Sequence, residues 1–249
     1  MGERVKAIGR MLGGLLALVA TLGMAAPAIA QDYCGTHDLP DRFYVDGFMK
    51  PMSFKVVDQP NGSKVLFVLG EIDDGSAARF AQALASAGVV HEVWLFSPGG
   101  SVDEGLEIGR QLRKSGLLVR IPNGAACISA CTLAFLGGIV RAIEPDGYYG
   151  VHMFSTFFDE GSGASYITDM INRSKKYADA GGKGGLDEAL RIQLMNSERR
   201  TAIVAAKIAR YLVEMSASLE FLTGMFGQEQ TGVCYLSRAG LTRYNVVNE

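Results

Sequence analysis

Short apolar runs separated by polar turns fill the first 150 residues of the chain. Such runs predict strands, and apolar residues at three- and four-residue spacing predict the helices between them. Strands are predicted over residues 52–58, 64–69, 92–96, 117–121, 139–143, 148–152 and 233–236. Alternation of strands with helices favours an α/β fold with parallel strand pairs.

The first predicted helix covers residues 75–87, where Ala77, Phe80, Ala81 and Leu84 recur on one face, and Asp74 precedes it as a capping residue. Further helices are predicted from Ser101 or Asp103 onward and from Ser129 to about 136. After residue 152 the alternation of strands and helices ends, and longer helical stretches are predicted over 186–215 and over 217–226. Residues 156–164 are predicted to form a loop, and the glycine-rich stretch 180–185 is predicted to separate helices.

The first 30 residues differ from the rest of the chain. A basic start is followed by an uncharged apolar run over 11–24 and by Ala28-Ile29-Ala30, a small-residue cleavage site. This order is typical of a secretory signal peptide, so residues 1–30 are expected to be removed and 31–249 to form one exported, periplasmic domain. The alternative is a membrane anchor over residues 11–30, for which the apolar run is short.

Composition narrows the choice of partners and cofactors. The chain has 249 residues, of which 48% are hydrophobic, and a net charge of −2. No basic stripe is present, so nucleic acid is not an expected partner. The chain has three histidines and no closely spaced second cysteine pair, which argues against a zinc site. We therefore expect neither a metal nor another cofactor.

The four cysteines point to disulfides, because an even number in an exported protein is typical of an oxidising compartment. Cys34 and Cys234 lie near the two ends of residues 31–249, and we favour a bridge between them. Cys127 and Cys131 are expected to be paired with each other or to be buried thiols.

The segment Ser97-Pro98-Gly99-Gly100 follows a predicted strand and precedes a helix. Glycines there allow a tight turn and expose backbone N–H groups at a helix start, where anions are favoured. An isolated Pro-Gly-Gly is more often an ordinary strand-to-helix turn.

Ser129 and His152 are candidates for the nucleophile and the base of a serine hydrolase, next to the glycine turn. Ser129 lies at a predicted helix start, where its ordinary role is a helix cap, and His152 ends a predicted strand. A neutral imidazole is the usual base for a serine hydroxyl. With Ser129 as nucleophile, the N–H groups of Ala130 and of Gly100 (or Gly99) are candidates for an oxyanion hole.

These three segments resemble the Clp-type serine peptidases of the ClpP/crotonase superfamily. The resemblance covers about 64–153 and looks strongest to exported members in which cysteines flank the serine. It implies a ClpP/crotonase-like ββα-repeat core with a helical C-terminal part. It also implies the roles of nucleophile for Ser129, base for His152 and oxyanion donors for Gly100 and Ala130.

The chain departs from that family at the third catalytic position. The residue that matches the family's aspartate is Val233, which cannot orient an imidazole, and the nearest carboxylate upstream is Glu229. Glu229 as the third member, a dyad and an inactive protein are the alternatives. Related membrane-bound peptidases use a lysine base, but Lys175 and Lys176 lie in a polar helix and are expected to face solvent.

We therefore expect an exported Clp-type serine peptidase-like hydrolase that acts on a peptide or protein substrate. The sequence shows no evident ATPase partner, and a homo-oligomer is an expected form. One alternative is a catalytically inactive exported binding or assembly protein on the same fold. Another is acyl-CoA chemistry of the crotonase kind, against which export and the lack of a basic phosphate-binding cluster argue.

Overall fold

The computed structural model of the chain describes residues 33–153, 163–227 and 232–249. The predicted signal peptide or anchor, Glu229 and most of the predicted loop over 156–164 lie outside the described residues. Within these ranges, the chain forms two β-sheets and seven α-helices.

The larger sheet has five strands in the order β2-β3-β4-β5-β7. Its strands are β2 (Ser53–Asp58), β3 (Lys64–Leu69), β4 (Glu92–Phe96), β5 (Leu118–Ile121) and β7 (Val140–Ile143). The first pair is antiparallel and the others are parallel. Parallel neighbours need crossover connections, which the helices supply.

The smaller sheet has four strands in the order β1-β9-β8-β6. Its strands are β1 (Cys34–Thr36), β6 (Ala126–Ile128), β8 (Tyr148–Val151) and β9 (Cys234–Leu236). β6 and β8 are parallel, and β9 runs antiparallel to both of its neighbours. This sheet therefore joins strands from the two ends of the described chain.

The helices are α1 (Ser76–Ser86), α2 (Val102–Ser115), α3 (Ala130–Phe135), α4 (Gly163–Asp179), α5 (Gly185–Glu214), α6 (Glu220–Phe226) and α7 (Arg238–Arg243). None of them, in the part of the chain that the structure describes, combines the length and the apolar character that a membrane span requires.

The predicted α/β class is confirmed, and most predicted elements agree with the structure to within a few residues. Two short strands, β1 and β6, were not predicted. The predicted cap of α1 is wrong: the N-cap is Gly75, whose φ of 78° lets the chain enter the helix. Asp73 rather than Asp74 accepts a hydrogen bond from the Ser76 hydroxyl, at 2.8 Å.

Glycines bring α2 and α3 close together. A Cβ added at Gly105 would lie 2.7 Å from the carbonyl oxygen of Ala130, and one at Gly109 would collide with the hydroxyl of Tyr211. Only residues without a side chain fit at these two positions. The α2 helix therefore supports the first turn of α3 directly.

Two buried tyrosines fix α3 from other sides. The Tyr149 hydroxyl donates to the carbonyl of Thr132 at 3.0 Å, and the Tyr211 hydroxyl donates to that of Leu133 at 2.7 Å. Burial raises the pKa of both phenols, so both stay protonated and remain donors at neutral pH. These bonds satisfy carbonyl groups near the end of a helix of only 6 residues.

A buried arginine ties the C-terminal segment to β7. Arg141 is 2% exposed and donates to the carbonyls of Val246 at 2.7 Å, Asn245 at 2.9 Å and Gly138 at 3.2 Å. Desolvation lowers the pKa of its guanidinium. Carbonyl groups rather than a carboxylate thus satisfy the donors of this buried cation.

Two disulfides are present. Cys34–Cys234 joins β1 to β9 across a sequence separation of 200 residues, and Cys127–Cys131 joins β6 to α3 across a separation of 4. The sequence analysis allowed Cys127 and Cys131 to be either a disulfide or two buried thiols, and the structure shows the disulfide.

Candidate active site

Ser129 lies in a sharp turn between β6 and α3. Its φ of 56° and ψ of −124° are rare for a residue with a side chain, and such backbone costs on the order of 1–3 kcal/mol. Its hydroxyl makes no capping hydrogen bond to α3, so the ordinary cap role considered above is not what the structure shows. A strained strand-to-helix turn that presents a serine is the geometry of a nucleophile elbow.

Hydrogen bonds hold this turn on both sides of the serine. The N–H of Ser129 donates to the carbonyl of Gly150 in β8 at 2.9 Å. The carbonyl of Ser129 accepts from the N–H of Thr132 at 2.9 Å and from its hydroxyl at 2.5 Å. The side chain of Ser129 is half-buried, whereas Ile128 and Ala130 on either side are buried.

The glycine segment after β4 packs directly against this turn. A Cβ added at Gly99 would lie 2.7 Å from the Cβ of Ser129 and 2.9 Å from the nitrogen of Ala130. The φ angles of Gly99 and Gly100 are 96° and 135°, values that residues other than glycine rarely adopt. The sequence therefore needs glycine here for the close approach as well as for the turn.

Three hydrogen bonds orient the glycine segment. Ser97 is fully buried, and its hydroxyl accepts from the N–H of Gly99 at 3.1 Å. Ile72 donates to the carbonyl of Gly99 at 2.7 Å and accepts from the N–H of Ser101 at 2.8 Å. The two glycines are thus held by Ser97 before them and by Ile72 from another part of the chain.

Of the two predicted glycine donors, Gly100 is the better placed. The N–H of Gly99 is engaged by Ser97, whereas that of Gly100 has no acceptor among the described residues and Gly100 is exposed. Ala130 is the first residue of α3, a position whose N–H group has no partner inside the helix. Ala130 follows Ser129 directly, and Gly100 follows Gly99, which packs against Ser129.

His152 lies at the same end of the smaller sheet as Ser129. In the parallel pairing of β6 with β8, Ile128 lies opposite Gly150. Ser129 comes directly after Ile128 and His152 comes two residues after Gly150, so both residues lie where the two strands end. The Nδ1 atom of His152 is 2.8 Å from the carbonyl oxygen of Met153. A carbonyl only accepts, so Nδ1 carries the proton, and in the neutral ring Nε2 is the acceptor.

Val233 occupies the position across from His152. In the antiparallel pairing of β8 with β9, Val151 is opposite Cys234 and Gly150 is opposite Tyr235, and continuing this register places Val233 opposite His152. This position, which the resemblance matches to the third catalytic residue, therefore carries an isopropyl group. The other candidate, Glu229, lies outside the described residues.

The remaining titratable candidates lie elsewhere. Lys175 and Lys176 are exposed on α4. His91 accepts from the N–H of Lys64 at the start of β3, at 3.1 Å, and His37 contacts the carbonyl of Val233 at 3.1 Å. In the described ranges, no group of three or more His, Cys, Asp or Glu side chains is arranged to hold a metal ion.

A cleft of about 650 Å³ lies on the larger sheet and does not include Ser129 or His152. Arg120 crosses it and pairs with Glu92 at 2.8 Å and with Glu144 at 2.5 Å. Burial raises the pKa of Glu92, but hydrogen bonds from Arg120 and Trp94 lower it, and the pKa lies below its ordinary value. The charged groups of this cleft satisfy one another.

Comparison with known proteins adds a likeness of fold. No protein-family model matches the sequence, and no curated protein matches it. A variant of ClpP1 from Listeria monocytogenes is 16% identical over 74% of this chain and 89% of its own, with a TM-score of 0.49. A variant of the 1510-N membrane-bound stomatin-specific protease is 18% identical over 51% of this chain and 65% of its own, with a TM-score of 0.32.

At these identities the likeness concerns the fold alone. The α/β architecture expected from the sequence is the one that the structure shows, and the chain is similar in fold to ClpP1. What the site does depends on its own side chains.

Proposed function

We propose that the protein is a serine peptidase-like hydrolase in which Ser129 is the nucleophile and His152 the base. The observation that carries the proposal is the strained turn at Ser129, whose hydroxyl is not used as a helix cap. Strain of this kind persists where the surrounding structure imposes it, and it is concentrated at functional sites. The N–H groups of Gly100 and Ala130 are the proposed oxyanion donors.

The reaction begins when Nε2 of His152 accepts the proton of the Ser129 hydroxyl. The Oγ atom attacks the peptide carbonyl, and the N–H groups of Gly100 and Ala130 stabilise the negative oxygen of the tetrahedral intermediate. His152 then gives its proton to the leaving amine, which leaves an acyl group on Ser129. Water, deprotonated in turn by His152, releases the acid.

Among the described residues, a backbone carbonyl holds the Nδ1 side of His152 in this proposal. The Met153 carbonyl holds the proton on Nδ1 and so selects the tautomer that a base requires. A neutral carbonyl stabilises the imidazolium less than a carboxylate does. Val233→Asp introduces a carboxylate opposite His152 and is expected to raise the rate of hydrolysis.

The substrate in this proposal is a peptide in extended form beside the exposed Gly100, since strand addition to an open backbone edge is a common mode of peptide binding. The two disulfides support an oxidising, exported location, because such bridges persist in those compartments.

A fluorophosphonate probe tests the proposal. The folded wild-type protein is expected to be labelled at Ser129 alone, as located by mass spectrometry of its peptides. Ser129→Ala is expected to abolish labelling, and His152→Ala to slow it by on the order of 10⁴-fold. Ser237→Ala is the matched control, because the Ser237 hydroxyl caps α7 at 3.2 Å and its loss affects stability only.

Absence of labelling in the folded wild-type protein would refute the hydrolase proposal. The binding or assembly protein on the same fold would then be the better interpretation.

A further inference from the structure

The Cys127–Cys131 disulfide encloses the turn that contains Ser129. Cys127 is in β6, Cys131 is the second residue of α3, and Ser129 lies midway between them. Both cysteines are almost fully buried, with exposures of 0% and 1%. The bridge therefore ties the strand before the turn to the helix after it, on the inner side of the turn.

Such a bridge controls two groups of the proposed site at once. Rotation of Ser129 away from its φ of 56° would swing the peptide group that follows it, and the N–H of that group belongs to Ala130. The same rotation would move the hydroxyl. A covalent tie from residue 127 to residue 131 opposes this relaxation, which hydrogen bonds alone oppose less strongly.

Global stability explains this bridge poorly. The stabilisation that a disulfide provides through the unfolded chain grows with the length of the loop that it closes. Cys127–Cys131 spans 4 residues, whereas Cys34–Cys234 spans 200. The short bridge lies at the strained serine, and the long one accounts for the greater part of the entropic effect.

We infer that Cys127–Cys131 is a positioning disulfide, which holds Ser129 and the N–H of Ala130 in the geometry needed for attack. This inference rests on the proposed hydrolase function. In this inference the two cysteines do not contact the substrate. Their effect is exerted through the backbone of the turn.

The experiment compares C127A/C131A with C34A/C234A by the kinetics of fluorophosphonate labelling below the melting temperature of each protein. C127A/C131A is expected to lower the maximal labelling rate by on the order of 10²-fold, the usual effect of a misplacement of about 1 Å, with little change in the half-saturating probe concentration. C34A/C234A is expected to keep the wild-type rate but to lose more thermal stability. A merely structural role would reduce the labelled fraction and leave the rate of each folded molecule unchanged.

A second variant, C127V/C131A, keeps more of the buried volume and serves if C127A/C131A does not fold. A folded variant without the bridge that is labelled at the wild-type rate would overturn the inference and leave the hydrolase proposal intact. If the folded wild-type protein is not labelled, the hydrolase proposal itself fails, and the inference fails with it.

Discussion

Removal of the Cys34–Cys234 disulfide by C34A/C234A is expected to cause a large loss of stability. The bridge connects β1 to β9, and β9 is the strand that pairs with β8 beside the proposed site. β1 has only 3 residues, and β9 is its only partner strand in the described part of the chain. Without the bridge, this edge depends on the strand pairing and on contacts such as that of His37 with the Val233 carbonyl.

The magnitude follows from the length of the closed loop. With a sequence separation of 200, the chain-entropy relation gives about 5 kcal/mol of stabilisation. The same relation gives about 2 kcal/mol for the separation of 4 at Cys127–Cys131. For a domain of this size, a loss of about 5 kcal/mol corresponds to a decrease in Tm of roughly 10–20 °C.

Differential scanning calorimetry of the wild-type protein, C34A/C234A and C127A/C131A measures both effects under identical conditions. Alkylation under non-reducing conditions verifies that the wild-type protein has no free thiol and that each variant retains its other bridge. The reasoning is refuted if C34A/C234A melts within about 3 °C of the wild type, well below the decrease expected for a long loop. It is refuted equally if C127A/C131A is the less stable of the two variants.

Four further variants test the packing around the site and the charges of the cleft on the larger sheet. Arg141→Met leaves three carbonyls without their donor and is expected to cost about 3 kcal/mol or more in urea unfolding. Gly109→Ala displaces Tyr211 and is expected to cost about 1–3 kcal/mol, an effect that should shrink when it is measured in the Tyr211→Phe background. Ser129→Gly is expected to raise stability by about 1 kcal/mol, because glycine tolerates the positive φ, while labelling is lost. The pKa of Glu92 is lowered in the folded protein, so its contribution to stability is fully present above the unfolded pKa of about 4.3 and is lost as the pH falls through the folded pKa. Glu92→Gln should therefore weaken the acid dependence of unfolding.

Local signals were sufficient for most helices and for the strands of the larger sheet. The apolar runs of β3 and β4, bounded by turns, identify buried strands without knowledge of their partners. The glycines at 99 and 100 and the serine at 129 could likewise be selected, because a tight turn before a helix is visible in residue type and spacing.

Long-range pairing explains what the sequence did not reveal. β1 and β6 have 3 residues each, and the register of β1 depends on a partner 200 positions away. The resemblance matched Val233 to the third catalytic position, but only the pairing of β8 with β9 places it opposite His152. The tautomer of His152 follows from a carbonyl contact that no residue pattern encodes.

The order of strands in the smaller sheet has a consequence for synthesis of the chain. All five strands of the larger sheet lie between residues 53 and 143, so they can assemble while the ribosome is still adding the helical C-terminal part. β1 is made first but must wait for β9, and β8, which precedes His152, lacks one neighbour until β9 emerges. Contacts so distant in sequence form slowly, because a long loop must close first. A nascent chain therefore carries Ser129 and His152 on an incomplete sheet, and the timing of β9 sets when the site is complete.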